Sequence, residues 1–570
     1  MPENGICIVI SVLFTFALCL VSCGYYEEGK ADAVLYGRNN FDAINNLDIM
    51  DSGPVKGGRL KLFSTFPDTL NPLFTNNAYV QEFGKLIFEG LASLGKDQMA
   101  VPLLSDSWEV SEDGLIWTFH IRDGVLWHDG VSFTAEDVEY TLKTILNAKT
   151  DSVYKWNLQN ISAFAALDRN NIRIVLKKPN SFMPEMLTLP IIPKHYYSGM
   201  DIGFMHESKL PPGTGPYKYQ SYEDGKSIIL AANEKWWKIS DAYKDKNEDI
   251  VHNGASLISE ITINLYRDSR CELAAFQALN TDIARIENIN YDKYTQRTDL
   301  LIKEYADRDC ELIAFNISKP PLNEKAVRQA IALGIDKEKL IGDFLLGKAV
   351  RSDIPVMPDS WIYDRIDEPY AFDMKKAEDL LEQIGWKKQD GLRYNKINGA
   401  KKTLDINILV NNDNRIRVAL AEKISGQLKE IGINSNVAAV SGEEAFKRIN
   451  SRKFDMAVIG LRMPLIPDVS FLFSTPYLSQ PLIGDKIKAV NIAGYYNEEV
   501  NNYITEIFAR NGRNERKEAF AKLRAKVLDD APYILLFFYK NAVICRNSVR
   551  GRIEPYVWNK FGNIEEWYIP

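Results

Sequence analysis

The chain has 570 residues, several times the length of one ordinary domain, so more than one hydrophobic core is expected. At 46% hydrophobic and 25% charged residues it has the composition of a folded globular body, which excludes a polytopic membrane protein and wholesale disorder. Lys plus Arg number 69 against 76 Asp plus Glu, a net charge of -7 that provides no footprint for a phosphate backbone and excludes nucleic acid as partner.

In chain order, the run from Ile6 to Ser22 carries no charge and reads as the h-region of a signal peptide over residues 1–22. It is short for a spanning helix; a single uncleaved anchor helix is the alternative, and both readings put the body outside the cytoplasmic membrane. Leu20-Val21-Ser22-Cys23 resembles the bacterial lipobox, which implies lipidation at Cys23, because only a thiol takes a thioether-linked diacylglycerol. Residues 23–56 show no sustained period and read as a lipidated tether. Beyond Cys7, Cys19 and Cys23 there remain Cys271, Cys310 and Cys545. That odd, widely spaced trio forms neither a disulfide framework nor a metal spacing, and is expected as buried small hydrophobes.

Apolar alternation predicts strands over 58–66, 115–121, 172–176 and 258–265. Thr134 with Asp137 three residues later predicts a capped helix whose apolar face is Val138, Leu142, Ile145 and Leu146. The charged stretch Asp241 to Asp249 reads as a solvated loop. Asp373 opens a helix with Ala377, Leu380, Leu381 and Ile384 on one face and Gly385 as its left-handed C-cap. Then come a strand at 404–410, a helix through Leu420, Ile424, Leu428 and Ile431 closed by Gly432, and a strand at 437–440. This βαβ unit predicts a parallel sheet. A helix near 443–449, a strand at 456–460, a helix through Phe520, Leu523 and Val527, and an apolar strand at 533–539 complete the pattern.

Chemistry-bearing motifs are scarce. There is no nucleophile elbow, no zinc-protease helix, no P-loop and no dinucleotide fingerprint, and the five histidines share no metal-ligand spacing. No cofactor and no metal are expected. Trp108, Trp117 and Trp127 read as core aromatics, with ligand stacking as the alternative.

Asn71-Pro72-Leu73, Ile87-Phe88-Glu89-Gly90-Leu91, Trp117 to Val125, Trp127 to Val138, Gly213-Thr214-Gly215-Pro216-Tyr217, Trp236-Trp237, and Phe315-Asn316 before Pro320-Pro321 and Val327 to Ile331 follow one another in a familiar order. From about residue 58 to 545 they resemble the family 5 extracellular solute-binding proteins, the group of the oligopeptide- and dipeptide-binding lipoproteins of ABC importers. The resemblance implies an α/β, two-lobed periplasmic-binding-protein-like fold with mixed sheets, an extra inserted domain and a ligand cleft between lobes. It divides the chain into a discontinuous lobe I (57–78, 199–304 and 530–570), an inserted domain II (79–198) and a lobe III (305–529). It further implies a monomer that binds a peptide or other small solute, is held to the membrane by its lipid, delivers its ligand to an ABC permease and performs no catalysis. Closure around the ligand would exclude water and create a distinct surface for the permease.

Family register also implies the ligand site: Asn76, Asn77, Gly460, Leu461, Arg462, Met463, Asp468 and Tyr539. In peptide-binding members an aspartate beyond the segment matching Gly460 to Met463 pairs with the peptide ammonium. Pro464 stands at that position here, with Asp468 four residues on. Gly460 to Met463 is expected as an edge strand, with Gly460 allowing close backbone approach and Pro464 ending the pairing. Arg462 suits a carboxylate or phosphate on the ligand, with an ordinary surface arginine as the alternative. An exported lipid-anchored hydrolase, or a sensor or adhesion lipoprotein with the same fold, are the competing functions.

Overall fold

The computed structural model describes residues 53–201, 205, 210–239, 256–363, 369–474 and 491–570. The expected signal peptide, Cys23, nearly all of the tether and the loop Asp241 to Asp249 lie outside the described residues.

One four-stranded sheet runs in the order Arg59–Thr65, Glu260–Tyr266, Ser227–Ala232, Tyr217–Glu223, its first pair parallel and the others antiparallel. Alternation turns Leu60, Leu62, Ile261, Ile263, Ile228 and Leu230 into one core, which also takes in Ile87, Val543 and Trp567. A second, wholly antiparallel sheet orders Ser105–Val110, Ile116–Ile121, Asn171–Leu176 and Ile161–Ala166. The helix Ala135–Leu146 shares its core. That helix begins where the capping box predicts, with the Thr134 backbone N–H donating to Asp137 Oδ2 at 3.0 Å. Trp117 and Trp127 are buried in this core and Trp108 packs against it, as the core reading expects.

The largest sheet has seven strands. Its path is Ile283–Ile286, Tyr533–Arg546, Leu300–Phe315, Met456–Arg462, Asp405–Asn411 and Asn434–Val440, with Ala349–Arg351 added beside Tyr533–Arg546. The expected βαβ unit is there: Asp405–Asn411 lies parallel to Asn434–Val440 across the helix Arg415–Glu430, and Gly432, at φ +87°, follows the helix. Within this sheet the parallel pairs are those of Asp405–Asn411 with Asn434–Val440 and with Met456–Arg462, and the other pairs are antiparallel, so the βαβ unit sits in a mixed sheet, as the resemblance implies. Helix Met374–Gln383 starts on Asp373, whose Oδ1 accepts from Lys376 N at 2.8 Å.

Two long strands position everything else. Leu300–Phe315 and Tyr533–Arg546 pair antiparallel along most of their length, with a register break between Ala306 and Cys310. One half packs with the first core through Val543 and Cys545. The other half lies between two further cores, Cys310, Leu312, Leu535 and Phe538 on one face and Ile313, Phe315, Leu536 and Phe537 on the other. The first half of Leu300–Phe315 escapes periodicity, since Lys303, Glu304, Asp307, Arg308 and Asp309 leave no apolar alternation to read. The three cysteines among the described residues, Cys271, Cys310 and Cys545, are free. Cys310 and Cys545 are buried as expected; Cys271 is corrected to half-buried, because it sits at the exposed start of the helix Glu272–Gln277.

Candidate functional site

Gly460, Leu461, Arg462 and Met463 close the strand Met456–Arg462 and its exit. Its residues 456–462 pair with 309–315 along one flank. On the other flank only Met456 and Ala457 have partners, Ile408 and Leu409. By sheet order this is an interior strand rather than an edge strand, yet from Val458 to Arg462 no ladder partner stands on that second flank among the described residues. Leu461 and Met463 turn into the core with Cys310 and Leu312. Gly460 faces the other way. A Cβ there would overlap Arg417 Nη2 and stand 3.1 Å from Glu311 Oε1, so the glycine makes room for a side chain of its own chain.

That side chain belongs to a buried ion pair. Arg417 Nε and Nη2 donate to the two carboxylate oxygens of Glu311, each at 2.8 Å, and Nη1 donates to Asn411 Oδ1 at 2.8 Å. Both charged side chains are 1% exposed. The Tyr539 hydroxyl donates to Glu311 Oε1 at 3.0 Å, so the expected residues Gly460 and Tyr539 meet through Glu311. A buried pair held this way is neutral in sum and fixed in geometry, and removing one partner strands the other.

At the register break the polarity continues. Arg462, half exposed, lies 3.6 Å from Asp309 Oδ1 and 3.9 Å from Asp307 Oδ1. Asp307 is buried, accepts from Asn541 Nδ2, and receives the Arg308 backbone N–H at 2.5 Å. Arg308 Nε donates to Met463 O at 2.6 Å, and Met463 N donates to Arg308 O at 2.9 Å. Burial, with the Asp307 carboxylate beside it, pushes Asp309 up to about 6 against the pull of Arg462 and Arg308. Burial together with Arg462 brings Arg308 down to about 10. Arg462 is therefore already compensated by two acids, and an anionic ligand group would compete with them.

The other expected residues stand apart from this group. Asn77 caps the helix Ala78–Gly84: its Oδ1 accepts from Tyr79 N and Val80 N, and its Nδ2 donates to Thr65 Oγ1 and the Phe66 carbonyl. Asn76 is exposed and its backbone N–H donates to Asp68 Oδ2 at 2.7 Å. Asp468 Oδ1 accepts from Ser470 N at 2.8 Å at the head of the turn Ser470–Phe473, and burial raises its pKa. Glu311, Arg417, Asp307, Asp309 and Asn541 were not singled out from the sequence. For Glu311 a signal existed, one charge set against the apolar run Leu312 to Phe315. Among the described residues, no group of three or more His, Cys, Asp or Glu is arranged to hold a metal ion.

A profile of the bacterial extracellular solute-binding proteins, family 5 Middle, matches residues 100–480. The oligopeptide-binding protein AppA of Bacillus subtilis is 23% identical over 576 residues, covering 98% of each chain. The heme-binding protein A of Haemophilus influenzae is 25% identical over 457 residues, covering 76% of this chain and 78% of its own. Among solved structures, the periplasmic murein tripeptide binding protein MppA in its unliganded open form superposes with a TM-score of 0.74 at 18% identity, covering 91% of this chain and 99% of that one. The α/β periplasmic-binding-protein-like fold is shared.

Proposed function

The chain belongs to the family 5 bacterial extracellular solute-binding proteins, and from that premise we propose that its solute is a peptide bound as an added strand. It is a solute-binding protein of an ABC importer, extracytoplasmic, and a transport receptor rather than an enzyme. Its relatives take solutes as different as oligopeptides and heme, so the chemistry of the ligand is a matter for this chain's own site.

One observation carries the peptide reading: the flank of Val458 to Arg462 that has no ladder partner, on a strand otherwise held at seven positions by its neighbour. Unpaired main-chain groups on a rigid strand suit an extended peptide, whose backbone hydrogen bonds give affinity while alternate side chains fall into pockets. Beside that flank the Glu311–Arg417 pair holds Gly460 in place, and Tyr539 and Arg462 face the same side. Residues 57–78, 199–304 and 530–570 form one lobe in this reading, residues 79–198 an inserted domain and residues 305–529 the opposing lobe, so the seven-stranded sheet draws strands from both lobes. The two long strands then join the lobes, and lipidation at Cys23 keeps the receptor beside its permease.

Native mass spectrometry of the purified full chain, followed by equilibrium binding of the molecule it identifies, tests the reading. A peptide recovered unchanged after binding is the expected result. A co-purified tetrapyrrole or metal chelate, with no measurable affinity for peptides, would overturn it.

A further inference from the structure

Two bodies built on separate sheets also touch outside the crossing strands. The antiparallel sheet Ser105–Leu176 shares no strand with the seven-stranded sheet, and the chain passes from one to the other by way of the four-stranded sheet. Yet Phe182, fully buried, packs in the core of the seven-stranded sheet, edge-on to Phe508 at 5.4 Å, while its neighbours Met183 and Leu187 belong to their own core. Two backbone hydrogen bonds cross the same boundary: Ser181 N donates to Phe508 O and Trp361 N to Asp97 O, both at 2.8 Å. The Arg516 guanidinium lies over the Phe182 ring at 5.2 Å and the Trp361 ring at 4.7 Å, donates to Ser181 O at 3.3 Å and stands 4.0 Å from Glu185.

The polar groups of this boundary are incompletely matched. Glu185 Oε2, Arg516 Nε and Trp361 Nε1 are buried without a hydrogen-bond partner. Burial holds the Glu185 carboxyl above its ordinary range despite Arg516. Each such group costs desolvation while the boundary is closed, and an interface that parts returns it to water and recovers its solvation. We propose that these contacts form a clasp, a breakable interface that restrains the body around Ser105–Leu176 against the seven-stranded sheet and is released as the two move apart. The register break at Ala306 to Cys310 interrupts the ladder between the crossing strands, and the clasp supplies a restraint on the two bodies outside that ladder. This goes beyond the solute-binding reading, and its test needs no ligand, so either can fail while the other stands.

The full chain carrying Glu185→Gln with Arg516→Met, and separately Phe182→Ala, is compared with the parent by X-ray scattering and native-state amide hydrogen exchange. Both variants are expected to have a larger radius of gyration. Exchange at the Ser181 and Trp361 amides should be faster by about tenfold or more, while Ile459 and Phe119, inside the two sheets, keep the parent's rates. Unchanged radius and unchanged exchange at Ser181 and Trp361 would overturn the clasp. So would equal acceleration at all four amides, which would make the two bodies one cooperative core. Phe182→Ala removes no charge, so it decides the matter if the double variant fails to fold.

Discussion

At Asp309 burial and a like charge act together, and the sign of the consequence is fixed. Its folded-state pKa of about 6 exceeds the unfolded value of about 3.9, so the proton favours the folded form. That contribution is complete below about pH 4 and is lost as the pH rises through 6. Asp309→Asn stays neutral and is expected to raise Tm over the parent by about 1 to 3 °C at pH 8 and to leave it unchanged at pH 4, read by scanning calorimetry. An equal difference at both pH values would show that another group carries the proton. Asn77 offers a second case at this scale. Its carbonyl oxygen caps a helix of seven residues and its amide ties that helix to Thr65 and Phe66. Asn77→Ala is expected to cost about 1 to 2 kcal/mol in urea unfolding, and Asn77→Asp, which keeps the cap acceptor but sets an oxygen against the Phe66 carbonyl, to recover only part of that.

At the scale of the element, the strand Met456–Arg462 depends on a side chain it does not contain. Gly460→Ala is expected to push Arg417 off Glu311 and to cost about 3 kcal/mol, since a broken buried pair leaves an uncompensated charge. In a Glu311→Gln, Arg417→Met background the same substitution should cost less than about 1 kcal/mol, because the clash then meets a flexible neutral side chain. Equal costs in the two backgrounds would return Gly460 to the role of a simple close-approach glycine. The same element shows where periodicity stops being informative. Met456 to Leu461 are all buried, which reads as an interior strand, while the ladder on one flank ends after Ala457. Alternation reports burial and is silent on which main-chain groups are paired.

For the whole molecule, the predicted event is closure of two lobes about the crossing strands. Scattering of the full chain with a saturating peptide found by mass spectrometry should give a smaller radius of gyration than without it, and an unchanged radius would count against hinge motion. Anchoring is tested separately: Cys23→Ser is expected to release the protein from membranes and abolish labelling by a lipid precursor. Retention and labelling of that variant would remove the lipid anchor from the proposal.

The βαβ unit over Asp405–Val440, the capping residues Thr134, Asp373 and Gly432, the alternating strands and the order of the family motifs are all local, and the sequence alone determined them. Periodicity and capping act within a few residues, so a linear reading suffices for them. The Glu311–Arg417 pair spans 106 positions and the Asp307–Asn541 contact 234. The Ser181–Phe508 bond and the packing of Phe182 are as remote in the chain. Only the tertiary structure decided these, because a side chain's partner across such distances is chosen by how sheets and bodies pack, and packing leaves no period in the sequence.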